Sequence, residues 1–227
     1  MKTFDASWSP KLRLIGEIER PDHWYLAEED TCAFFGEYTP RAGYTHSDTN
    51  QIIHNLKKRP ETRGTAQWKY KVQAIGTIGR AIAANINSNA YGDTAFVPIP
   101  PSKPPGHPEY DDRMLQVALS IGQAKGISVD VRELLRTTTE RTAAHSTQSQ
   151  RDPAALRAAI EVEPALFANP PRQVVLLDDV LTTGCSFTVC KAILQEVWPS
   201  VLVFGLFVAR RIIDQGAIHG FVDETSS

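Results

Sequence analysis

Short apolar runs alternate with stripes of helical period along the chain. Val174-Val175-Leu176-Leu177 is followed by Asp178-Asp179, Val180-Leu181 and then Thr182-Thr183-Gly184-Cys185-Ser186. Four consecutive apolar residues predict a central strand over 174–178, covered on both faces, with a helix from Gly184 to Trp198 behind the small polar turn. Val201 to Val208 reads as another buried strand, and Ala95 to Pro100 as a strand stopped by its prolines. Further strands are predicted over 32–38, 129–135 and 159–162. A helix capped at Ser47 or Asp48 runs to Lys58, with Ile52, Ile53 and Leu56 on one side and Pro60 past its end. A longer one spans 65–86, where Trp68, Val72, Ile75, Ile78, Ile82 and Ile86 recur at spacings of three and four. Helices over 111–126 and, after Pro153, over 153–157 complete the pattern.

Strands alternating with helices imply an α/β fold: a mostly parallel, twisted sheet with helices on both faces. Residues 1–64 carry many aromatics between turn residues and are expected to form a small N-terminal extension or hood, with short strands and one helix. Residues 65–227 are expected to form the core. The stretch 137–150 is rich in Ser, Thr and Gln, has almost nothing to bury, and reads as a mobile surface loop.

Two hundred and twenty-seven residues suffice for one sizeable core. A net charge of -2 argues against a nucleic-acid surface spread over the domain, and Lys57-Lys58-Arg59 reads as a solvated helix end. Three scattered cysteines, Cys32, Cys185 and Cys190, are too few for a disulfide framework or a zinc site, and the six histidines lack ligand spacing. The first residues lack the apolar core of a signal peptide, and the longest apolar run, 201–209, is too short to cross a bilayer. The expectation is a soluble cytoplasmic protein with neither membrane nor nucleic acid as partner.

Two carboxylates at the carboxyl end of a central strand sit where open α/β sheets place their ligands. The Thr-Thr-Gly-Cys-Ser turn offers N–H groups and hydroxyls at a helix N-terminus, which suits a phosphate dianion. Carboxylates beside a phosphate would repel it unless they face something else, and sugar hydroxyls with a divalent cation nearby resolve the conflict. The pattern therefore asks for a ribose 5-phosphate. An apolar strand ending in Asp-Asp also suits Mg²⁺ in a nucleotide hydrolase, but that reading needs a G-x-x-x-x-G-K-[ST] loop. The chain contains no Gly-Lys pair.

All thirteen positions from Val174 to Ser186 resemble the signature that binds 5-phosphoribosyl 1-diphosphate (PRPP) in the type I phosphoribosyltransferases. The resemblance implies Mg²⁺-dependent transfer of the 5-phosphoribosyl group to a nitrogenous acceptor, a nucleobase or a related compound, with release of pyrophosphate. Asp178 and Asp179 would then bind the ribose hydroxyls and hold Mg²⁺ indirectly, through the bound ligand. Thr182, Thr183, Gly184, Cys185 and Ser186 would hold the 5-phosphate. Ser102 and Lys103, past the proline-rich strand end, lie where this fold family puts its pyrophosphate loop, and Arg113 offers a planar fork for phosphate oxygens. Such a transfer rests on placed charges and needs no protein nucleophile, so Asp178, Asp179, Lys103 and Arg113 are the expected catalytic residues. The loop 137–150 would be a water-excluding lid, with Arg136, Arg141 and Arg151 clamping pyrophosphate. PRPP and a small-molecule acceptor are the expected partners, along with a second copy in a homodimer.

Thr182 stands where enzymes acting on 6-oxopurines often carry an acid, which disfavours hypoxanthine and guanine. The acceptor is expected near Phe207, Arg210 and Arg211. The order of elements also resembles the ComF-type branch over residues 33–209, through Val97-Pro98-Ile99-Pro100, Arg113 and Gln148 to Arg151. The chain departs from that branch in lacking a Cys-rich zinc module and in carrying Arg113-Met114-Leu115-Gln116 in place of Arg-Gly-Phe-Asn. The alternative is a non-catalytic protein of the same fold that senses PRPP or a nucleotide, or serves as a competence- or defence-type accessory. Fold alone does not separate the two. The persistence of Lys103, Arg113 and the polar loop leans toward an enzyme.

Overall fold

Among residues 7–139 and 152–212, which the computed structural model describes, six strands lie side by side in one sheet. In spatial order they are β1 (Arg13–Leu14), β2 (Cys32–Tyr38), β8 (Leu202–Arg211), β7 (Gln173–Leu181), β3 (Thr94–Pro98) and β4 (Asp130–Val131). Only β1 runs antiparallel to its neighbour, so the sheet is mostly parallel and the fold is α/β. Strand alternation splits the side chains between two cores. Phe34, Ala95, Val97, Val174, Leu176 and Phe207 face one side, where α5 (Cys185–Val197) packs through Phe187, Val189, Cys190, Ile193 and Leu194. Phe35, Phe96, Leu177, Leu206 and Val208 face the other, under α1 (Asp48–Leu56), α2 (Trp68–Asn85) and α3 (Arg113–Lys125).

β2 is an inner strand, bonded to β1 on one side and β8 on the other. The boundary expected at residue 64 therefore does not fall at a break in the sheet. Residues 32–38 are part of the same layer as β7.

The buried stripe of α2 is rotated from the expected one. Lys71, Ala74, Ile78, Gly79, Ala81, Ile82 and Ala83 are buried, whereas Val72 is exposed and Trp68, Ile75 and Ile86 are half-buried. Crossing with α3 sets this rotation: a Cβ on Gly79 would lie 1.9 Å from Ser120 Oγ and 3.1 Å from its carbonyl carbon, so only glycine permits the approach. The rotation carries Lys71 inside.

The strand predicted over 129–135 divides. β4 ends at Val131, and β5 (Leu135–Thr137) pairs antiparallel with β6 (Ile160–Val162) in a separate two-stranded sheet. Arg132 turns the chain at this point, its guanidinium holding Asp130 and the carbonyls of Leu166, Ala168 and Asn169. A short helix, α4 (Pro153–Ala158), precedes β6. Most of the expected lid, including Arg141 and Arg151, lies outside the described residues.

Candidate functional site

β3 and β7 leave the sheet in opposite directions: the chain goes from β3 through α3 to β4 on one side, and from β7 through α5 to β8 on the other. The gap beyond their carboxyl ends is therefore a topological switch point, where open α/β sheets bind ligands. Prolines open that gap. The β3–β7 ladder stops at Pro98 opposite Leu177, and Ile99 N adds one last bond to Leu177 O. β7 runs on to Leu181 paired with β8 alone. Asp178 is thus the first residue of β7 past the β3 ladder, and it lines a cavity with Pro98 to Pro101, Tyr110 to Leu115, Glu133 and Leu135 to Thr137. The enclosed volume is about 50 Å³, room for a few waters.

The signature strand is longer than predicted, and both carboxylates sit inside it. Adjacent residues of a strand face opposite ways, and the two carboxylates have separate surroundings. Asp178 is half-buried, and its Oδ1 accepts the Asp179 N–H at 2.7 Å. Burial, and then the neighbouring Asp179 charge, raise its affinity for a proton well above the usual carboxylate range. Asp179 is buried on the side of α1 and α3. Arg113 Nε (2.8 Å) and an Nη (2.6 Å) both reach its Oδ2, and Lys57 Nζ lies 3.1 Å from Oδ1. Burial alone would raise its pKa, but Lys57 and Arg113 outweigh that and hold it well below the ordinary value.

Behind Arg113 stands Asp111, which accepts from an Arg113 Nη at 2.8 Å and from Lys71 Nζ at 2.6 and 2.8 Å. Lys71 is 1% exposed and also donates to the Lys58 carbonyl at 2.7 Å. Burial lowers its pKa against the pull of Asp111. For Arg113, burial acts the same way, but Asp179 and Asp111 prevail and raise it. The result is a chain of alternating charge, Lys71–Asp111–Arg113–Asp179–Lys57, running from the core to the rim.

The remaining expected residues divide. Arg136, on β5, lines the cavity and pairs with Glu163, and Thr137 Oγ1 donates to the Pro101 carbonyl at 2.6 Å, tying β5 to the proline turn. Lys103 sits at the edge, 3.4 Å from Glu109, and it and Ser102 are outside the cavity lining. The turn 182–186 also lies outside that lining. It is packed instead against residues 23–26. The His23 Nδ1–H donates to Thr182 O, Tyr25 N donates to Thr183 O at 3.0 Å, and Thr188 Oγ1 donates to Tyr25 O at 3.0 Å. Gly184 has φ +89°, and a Cβ there would meet Leu26 at 2.8 Å, so the turn requires glycine for both reasons. Thr182 is exposed and Ser186 half-buried, so this α5 N-terminus keeps an outward side.

Of the three residues expected near the acceptor, Arg211 is half-buried at the end of β8 and the other two are inside. Phe207 is core, and Arg210 is buried on Glu37 and Asp22. Conversely, Lys57, Lys71, Asp111, Tyr110 and Glu133 join the site without having been singled out. Tyr110 donates to Glu133 at 3.1 Å, and burial followed by the Glu133 charge pushes its hydroxyl up to about 12. A lysine on an otherwise apolar helical stripe was the legible signal for Lys71. Asp111 enters the sequence reading only as the start of the helix over 111–126, and Lys57 as part of a solvated helix end.

Among the described residues no group of three or more His, Cys, Asp or Glu side chains is placed to hold a metal ion. None of the helices described is long and apolar enough to cross a membrane. Compared with known proteins, the chain matches no family model and no curated sequence.

Proposed function

We propose that the chain binds PRPP at the β3–β7 switch point and transfers its phosphoribosyl group to a nitrogenous acceptor, releasing pyrophosphate. The observation that carries this reading is the opening of β7 beyond Pro98, which sets the Asp178 carboxylate of the complete signature against a proline turn and Arg113. The enclosed cavity admits only part of such a ligand, so the rest extends along the rim toward Lys103 and the outward side of the 182–186 turn.

Within that reading each residue has a charge role. Asp178 takes hydroxyl protons of the ribose as hydrogen bonds and gives up its raised proton affinity as cationic charge develops beside it. Arg113, fixed from behind by Asp111 and Lys71, keeps Asp179 ionised and presents its planar fork at the cavity wall. Arg136, which lines the cavity beside the proline turn, and Lys103, which lies within that turn, each rest on a glutamate and are the cations for the leaving pyrophosphate. Mg²⁺ would fit as a ligand-borne ion: among the described residues no three His, Cys, Asp or Glu side chains are placed to hold one, and the cation would supply charge neutralisation of the diphosphate.

The sensor alternative draws on the burial of Asp179 between two cations, since such a carboxylate serves to fix a bound ligand as readily as to turn it over. Incubation with PRPP, Mg²⁺ and a pool of nitrogenous small molecules, followed for pyrophosphate and ribosylated masses, decides between them. Acceptor-dependent pyrophosphate release supports the transferase. Binding of PRPP without release supports the sensor, and absence of both defeats the proposal.

A further inference from the structure

Lys57 stands at the exposed end of the buried charge chain. Asp179 already holds Arg113 through two N–H bonds on one oxygen, and Arg113 is braced by Asp111 and Lys71. Lys57 adds a second cation to a carboxylate that is satisfied without it. Its side chain is 40% exposed, against 23% for Arg113 and 1% for Lys71. Its place is set by the backbone, because Ile52, Ile53 and Leu56 bury α1 and Lys57 N continues the helix onto Ile53 O. The ammonium is therefore not what holds the segment.

The same segment borders a second carboxylate. Two residues on, Arg59 lies 3.9 Å from Glu109, and Glu109 also takes Lys103 at 3.4 Å. Cations from three separate stretches of chain, 57–59, 103 and 113, thus meet along one rim, each resting on a carboxylate of the protein. Exposed pairs of this kind contribute little. A diphosphate offers more charge and more acceptor oxygens than Asp179 or Glu109, and a lysine ammonium on its flexible stem re-aims readily.

We infer that Lys57 is a ligand-binding cation of this site and exchanges Asp179 for a diphosphate group when an anionic ligand arrives. Arg113 remains on Asp179 and keeps that carboxylate ionised after Lys57 has left. This rests on the proposed PRPP reading and adds to it a gripping residue from α1, outside the signature and outside the proline turn.

Calorimetric titration tests it, using PRPP and, separately, inorganic pyrophosphate with Mg²⁺ on wild-type protein, Lys57→Ala and Lys57→Arg. Each variant is first shown to melt cooperatively. Wild type binds both ligands, Lys57→Ala weakens both by about tenfold, the scale of one charge-assisted hydrogen bond, and Lys57→Arg keeps most of the affinity. In parallel, acylation of Lys57 by an amine-directed reagent, read by mass spectrometry, slows when pyrophosphate is present. Equal pyrophosphate binding by wild type and Lys57→Ala, or none by wild type, overturns the inference. PRPP bound equally by both proteins removes Lys57 and leaves the proposed function standing. Lys57-dependent pyrophosphate binding without PRPP binding removes the proposed donor and leaves Lys57 in its role.

Discussion

Arg113 and Arg210 each pair with two carboxylates, but Arg113 lines the cavity beside Asp178 whereas Arg210 is buried. Arg210 on β8 is 2% exposed and sits on Glu37 of β2 and on Asp22, with its guanidinium carbon 5.4 Å from the Phe34 ring centroid. Both of its acidic partners are buried. Arg113 is held by Asp111 and Asp179, but its chain of charge continues to Lys57 at the surface and its own side chain lines the cavity. The same pairing chemistry therefore fastens one region and, in the proposed reading, leaves the other able to answer a ligand. What distinguishes them is the local backbone. β2 and β8 remain paired to Tyr38 and Arg211, closing over Arg210, whereas β3 stops at its prolines and uncovers Asp178.

The largest way to break the comparison is at Arg210. Arg210→Met removes the cation that buried Glu37 and Asp22 share and is expected to cost about 3–5 kcal/mol in urea unfolding. Arg113→Met is expected to cost less, about 1–3 kcal/mol, because Asp179 keeps Lys57 and Asp111 keeps Lys71. Equal losses would erase the distinction between a fastening network and a responsive one.

A second test is pH. Asp178 binds a proton more tightly in the folded protein than an ordinary Asp does, so folding is favoured while it is neutral. That contribution is complete below the ordinary Asp range and is lost as pH rises through the raised folded value. Asp179 has the opposite sign: its stabilisation is present above the ordinary range and is lost as pH falls toward its depressed value. Asp178→Asn keeps an acceptor for the Asp179 N–H and removes the first effect. The melting temperature of wild type, measured relative to this variant, should fall between acid and neutral pH. A constant difference across that range would show that Asp178 is not perturbed.

The smallest expected change is in the stability of Lys57→Ala. An exposed partner of an already paired carboxylate should alter unfolding by less than about 1 kcal/mol. A loss comparable to that of Arg210→Met would make Lys57 part of the fastening.

Much of the layer structure was legible in the sequence, because 174–177 and 201–208 are near-continuous apolar runs that only a covered sheet can bury. The site was legible where a motif and a strand end coincide, at Asp178 with the proline turn and Arg113. The missed parts depend on tertiary rotation. A lysine on an apolar stripe points to Lys71, but no local pattern fixes how far α2 turns it inward, since the Gly79–Ser120 contact that sets the rotation joins residues far apart in sequence. Nor does any local pattern show that Arg132 breaks the strand after Val131, or that residues 23–26 cover one side of the 182–186 turn. Arg210 misled for the same reason: an arginine at a strand exit looks available until Glu37 and Asp22 are seen around it.

The central claim is that the opening beside Asp178 is a PRPP site. Calorimetric titration of PRPP with Mg²⁺ into the folded protein, repeated with Asp178→Asn, tests it most directly. The expected result is saturable binding to wild type that the variant loses while melting as a folded protein. A flat titration of folded wild type at millimolar PRPP, or equal binding by Asp178→Asn, would contradict it.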